Sequence, residues 1–195
     1  MVEKFKTDRL RSALTSGLAS PNRWMVNLPS LATHRKIRGN QRVGAYSSEL
    51  TDVLCTNARI PGRNVRALDR TIGGVTTRVA AGFEAGTANF SFFLDQNYTL
   101  RKYFQDWMDC VLSPVPPYEA GFFDNYKADI KVSQLDKQEI TLYRVKLVDT
   151  YPLTIQEIEL NNAAQTAPLE LVVTIAYKNY EVEIGNMGSQ NELVI

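Results

Sequence analysis

The stretch 88-ANFSFFLDQNYTLRKYFQDWMDCVL-112 decides how this chain folds. Its first part alternates: Phe90, Phe92 and Leu94 fall on one side of an extended chain, with Asn89 and Ser91 between them. That is the period of a strand with one buried face. The period then changes. Leu100, Tyr103, Phe104, Trp107, Met108, Val111 and Leu112 recur at helical spacing, and Arg101, Lys102, Gln105, Asp106 and Asp109 take the opposite side. This predicts an amphipathic helix over Thr99–Leu112, ended by Ser113-Pro114 and Pro116-Pro117, because proline cannot continue the hydrogen-bond ladder. A strand that leads into so apolar a helix has two stripes to bury. We expect Trp107 to pack toward the strand face that carries Phe90 and Phe92.

Downstream, Tyr126, Ala128, Ile130 and Val132 alternate with Lys127, Asp129 and Lys131, and Tyr143, Val145 and Leu147 share a face within Ile140–Val148. The polar turn Asp136-Lys137-Gln138 joins these two runs as a hairpin, and Tyr151-Pro152 is expected to break the second. Residues 161–167 read as a loop, and Leu169–Tyr177 as a long final strand. The polar tail from Gly185 ends in Leu193-Val194-Ile195, either frayed or docked on a partner.

Upstream, residues 63–82 hold Gly73-Gly74 between β-branched arms, a signal for a two-residue hairpin turn with positive φ. The arms carry Val65, Ile72, Val75 and Val79 but also Arg63, Arg66, Arg70 and Arg78. A lone hairpin is marginal in water, so the parent domain or a neighbouring subunit must cover this one. Residues 33–48 read as a long basic loop, Leu50–Ala58 as a strand ended by Pro61-Gly62, Arg23–Leu28 as a strand, and residues 8–18 as a short helix. The sum is about seven strands arranged in hairpins. It predicts one mainly β domain over residues 1–195: an antiparallel barrel or sandwich with one packed amphipathic helix and a short N-terminal helix.

Chemistry is sparse. There is one histidine, His34, and neither Cys55 nor Cys110 has a histidine near it in sequence. No zinc spacing and no glycine-rich phosphate loop occurs, so no catalytic residue, cofactor or metal is expected. Asp106 and Asp109 lie one helical turn apart and read as a solvated face rather than an acid/base pair. The two thiols fit a reducing compartment and read as packing residues. No apolar run is long enough for a membrane-spanning helix, and Met1–Lys6 lacks the apolar core of a signal peptide. Charge is split along the chain. Residues 1–98 hold 14 Lys and Arg against 7 Asp and Glu, and residues 99–195 hold 8 against 14. Such halves suit head-to-tail assembly or a basic face for nucleic acid. The cluster Arg35, Lys36, Arg38 and Arg42 lacks the aromatic platforms of single-strand binders.

The order of these elements resembles the tail tube proteins of contractile-tailed bacteriophages, a family related in fold to the type VI secretion tube protein. The resemblance runs from about Leu14 to Tyr180. It rests on Ser16-Gly17…Pro21-Asn22, Cys55-x-x-Ala58-x-x-Pro61, the Gly-containing hairpin, Phe90–Asp95, Phe104-x-x-Trp107, Lys127–Gln134 and Val148–Pro152. Residues 34–48 look like an insertion, and the chain from about residue 181 like an extension. The resemblance implies a virion protein, assembled in the bacterial cytoplasm, that forms stacked hexameric rings. Their lumen passes phage DNA without specific binding, and the tail sheath, baseplate and tape-measure proteins are the implied partners. A baseplate tube-initiator of the same fold is the nearest alternative. A monomeric module that binds nucleic acid or an acidic protein is the alternative from another class. The hairpin residues Arg63, Arg66, Arg70, Gly73, Gly74 and Arg78 are the candidate subunit interface, because a basic, under-covered hairpin calls for a neighbour.

Overall fold

The computed structural model describes residues 21–30, 53–83, 86–114, 116–160 and 168–184. The expected N-terminal helix, the basic loop at 33–48, the loop at 161–167 and the tail from Gly185 lie outside these. The order is β1 (Trp24–Asn27), β2 (Cys55–Ala58), β3 (Val65–Ile72), β4 (Val75–Phe83), β5 (Thr87–Phe93), α1 (Thr99–Val111), α2 (Phe123–Tyr126), β6 (Ala128–Leu135), β7 (Thr141–Ile155), β8 (Glu170–Ala176) and β9 (Asn179–Ile184).

All pairings are antiparallel. The first half of β7 pairs with β6 and β9, and β1 extends that sheet beyond β6. The second half of β7 pairs with β8, which continues to β5 and β2. One strand therefore belongs to two sheets, and the corner falls at Asp149. Its φ is 55°, a left-handed conformation, and its N–H donates to the Asp129 carboxylate at 3.1 Å. Corners where a strand changes sheets are how sandwiches turn. The two ends of the path, β1 and β2, are not hydrogen-bonded to each other, so the architecture is the sandwich rather than the closed barrel.

The core forms where the sequence periods meet. Phe90 and Phe92 of β5, Ile130 and Val132 of β6, Val145 and Leu147 of β7, and Leu171, Val173 and Ile175 of β8 are all buried. α1 adds Leu100, Tyr103, Phe104 and Trp107. Phe104 links Trp107 to the sheet, with ring centroids 6.5 Å from Trp107 and 5.5 Å from Phe92. Polar atoms that follow these side chains inward find acceptors: the Tyr103 hydroxyl donates to the Pro29 carbonyl at 2.6 Å, which ties α1 to the end of β1. The start of α1 is secured by Asp95, whose carboxylate accepts the Thr99 N–H at 2.8 Å and the Thr99 hydroxyl.

Several expectations are corrected. Pro152 does not end the strand. It is buried, and the chain continues to Ile155, paired among the described residues with β8. β8 is not the final strand, because β9 turns back onto β7. Tyr126 belongs to the single turn α2, and β6 begins at Ala128. β2 starts only at Cys55, since Val53 and Leu54 are helical. The apolar stripe of α1 also outruns its cover, because Leu112 lies beyond the helix and is exposed.

Candidate assembly interface

β3 and β4 form a two-stranded sheet that, among the described residues, pairs with no other strand. Every residue of both strands is exposed. The turn follows from Gly73 (φ 59°) and Gly74 (φ 82°), because a two-residue hairpin turn of this type needs positive φ at both positions. The register that this turn sets pairs Ile72 with Val75, Thr71 with Thr76, Arg70 with Thr77, Asp69 with Arg78 and Leu68 with Val79.

Paired residues share a face, so the two faces differ. One carries Ile72, Val75, Leu68 and Val79, each between 46% and 65% exposed, with Arg70 and Arg66 among them. The other carries polar pairs toward the tip, and Ala67 with Ala80 and Val65 with Phe83 toward the base. The Thr71 and Thr76 hydroxyls are 2.9 Å apart, and Arg78 Nε lies 3.3 Å from the Asp69 carboxylate. That ion pair is exposed and adds little to stability. Nearer the base, the Arg63 guanidinium stands 5.5 Å from the centroid of the Phe83 ring.

The hairpin thus brings Arg66 and Arg70 onto one face and sets Arg78 on the other, while Gly73 and Gly74 form the tip. The sequence reading missed Leu68 and did not separate the faces. The signal was available: a two-residue Gly-Gly turn dictates the register, and the register dictates which side chains are neighbours.

Among the described residues no group of three or more His, Cys, Asp or Glu is arranged to hold a metal ion. Cys110 donates its S–H to the Asp106 carbonyl at 3.0 Å, and burial, with Asp109 and Asp106 nearby, pushes its thiol up to about 11. It is a poor nucleophile at neutral pH. Among the described residues no helix is long and apolar enough to cross a membrane.

The described residues thus form an antiparallel sandwich with one packed helix and an exposed, amphipathic hairpin. The chain matches the phage tail tube protein family over residues 19–183 and belongs to it. It is therefore a tube subunit and a structural component of a viral tail. No curated protein sequence matches it. Among solved structures it is similar to the anti-feeding prophage tube-terminating cap, with TM-score 0.60 and 12% identity over 86% of this chain and 91% of that one. It is similar to a chain of the sheath–tube complex of an extracellular contractile injection system in the extended state, with TM-score 0.59 and 9% identity over 86% and 92%. It is also similar to a chain of the anti-feeding prophage baseplate, with TM-score 0.57 and 12% identity over 85% and 95%. At these identities the likeness is one of fold.

Proposed function

We propose that this chain is the repeating subunit of the hollow inner tube of a contractile tail. It forms hexameric rings that stack around a lumen, and that lumen conducts DNA and the tape-measure protein toward the host. Sheath subunits surround the tube and a baseplate begins it. The observation that carries this reading is the β3–β4 hairpin, a sheet of its own with every residue exposed. In a monomer this is an aggregation hazard; between subunits it becomes a specific contact. Arg63, Arg66, Arg70, Gly73, Gly74 and Arg78 belong to that contact. Membership of the tail tube family and likeness to a chain from a sheath–tube complex support the same reading.

The likeness to a baseplate chain supports a second reading, a tube initiator of the same fold. Light scattering and negative-stain microscopy of the purified protein separate the two. Stacked rings or long tubes support the repeating subunit, and single rings that do not elongate support the initiator. A species that stays at the 22.0 kDa of one chain at every concentration overturns both and leaves the monomeric binding module.

A further inference from the structure

We propose that the apolar face of the β3–β4 hairpin docks on a second copy of this chain, on the surface at the C-terminal end of α1 made by Leu112, Tyr118 and Phe122 and rimmed by Asp109 and Glu119. This rests on the tube-subunit reading and names where the hairpin goes.

The receiving surface is built by the chain folding back on the helix end. Leu112 bridges to Ala120, the Ser113 N–H donates to the Glu119 carbonyl at 3.1 Å, and the Gly121 N–H donates to the Val111 carbonyl at 2.9 Å. A Cβ on Gly121 would lie 2.4 Å from the Cys110 carbonyl, so glycine permits this close approach. Residues opposed across a bridge share a side, so Leu112 stands beside Ala120, and Tyr118 and Phe122 flank Ala120 two residues away on either side. Leu112, Tyr118 and Phe122 are 54%, 69% and 82% exposed. Large apolar side chains gathered this way mark an interaction surface.

Charge selects the occupant. A helix C-terminus carries partial negative charge, and the last turn of α1 has no basic residue to offset it. Asp106 and Asp109 add to it. Burial, and then the neighbouring Asp109, raise the Asp106 carboxyl above its ordinary value even with Lys102 opposing. The hairpin supplies the missing sign, because Arg66 and Arg70 stand among Leu68, Ile72, Val75 and Val79 on one face. The alternatives within copies of this chain are worse. Hairpin on hairpin opposes arginine to arginine, and patch on patch opposes Asp109 to Asp109. The contact is therefore heterologous, with each copy offering one hairpin and one receiving surface, and repetition closes a ring or extends a stack.

Cross-linking between differently tagged chains tests this. One variant carries Val79→Cys and the other Phe122→Cys. The native thiols interfere little, Cys55 being buried and Cys110 raised to about 11. The two are co-assembled and oxidised with copper–phenanthroline. The expected product is the mixed disulfide between the two tags, in large excess over either homodimer. Separately, Arg70→Glu and Asp109→Lys should each slow assembly about tenfold, as lost steering does, and the two together in one chain should restore the rate. Tubes that form without the mixed disulfide, or a dominant Val79→Cys homodimer, overturn this docking and leave the tube reading intact. A wild-type chain that never leaves the monomer overturns both.

Discussion

The Trp107 indole N–H donates to the backbone carbonyl of Tyr126 at 2.7 Å. This one bond joins the largest buried aromatic of α1 to the last residue of α2, just ahead of β6. Trp107 has no solvent exposure, so its N–H would be a costly orphan without that acceptor. The helix is thus held to the sheet by ring packing on one side and by a backbone contact on the other.

Trp107→Ala should destabilise the fold by about 3–5 kcal/mol, as large aromatic truncations in cores do. Trp107→Phe keeps a ring but leaves the Tyr126 carbonyl without its donor, and should cost less. Denaturant unfolding of the three proteins checks the order. An unaltered midpoint for the alanine variant would contradict the burial.

Deleting residues 70–78 should leave a folded chain that no longer forms tubes. The hairpin contributes no residue to the buried core, so its loss opens no cavity. Circular dichroism melting and negative-stain microscopy read the two halves of the expectation. Normal polymerisation by the shortened chain would remove the hairpin from the list of subunit contacts.

Salt should act on the rate of assembly and spare the finished tube. The halves of the chain carry net charges of +7 and −6, and the Debye length falls from about 10 Å at 0.1 M to about 3 Å at 1 M. Charge steers encounter, whereas apolar burial is not screened. Polymerisation followed across a salt series should slow while end-point mass holds. A rate indifferent to salt would refute steering, and tubes that dissolve at 1 M would make charge the main adhesive.

Asp95 should make stability depend on pH in the acid range. Burial opposes its ionisation, but hydrogen bonds from the Thr99 hydroxyl and backbone outweigh burial and hold the carboxyl below its ordinary value. A depressed folded value means that the ionised group stabilises the fold above about pH 4, and that this contribution is lost as pH falls through the folded value. Asp95→Ala should therefore cost about 0.5–2 kcal/mol at neutral pH, the worth of a helix cap. The gap between variant and parent should close as the pH is lowered below 4. Parallel unfolding curves at pH 7 and pH 3 decide it.

Local pattern alone determined much of this protein. Side-chain period is set by backbone geometry within a few residues, so the strand at Phe90–Phe92, the helix at Thr99 and the alternating runs around Ile130, Val145 and Val173 were legible. So was the Gly73-Gly74 hairpin, because a two-residue turn with positive φ leaves few other residues possible. The ordered motifs also sufficed to suggest the family. What pairs with what over long separations was decided by the tertiary structure. Pro152 reads as a break until its pairing with Ile175 of β8 is seen. β9 reads as a tail until its register with Tyr143–Val148 appears. Leu112 reads as the last residue of a buried stripe until the helix is seen to end at Val111 and leave it exposed. A period says that a side chain shares a face with its neighbours. Whether another element reaches far enough to cover that face depends on the whole path of the chain, which only the folded structure defines.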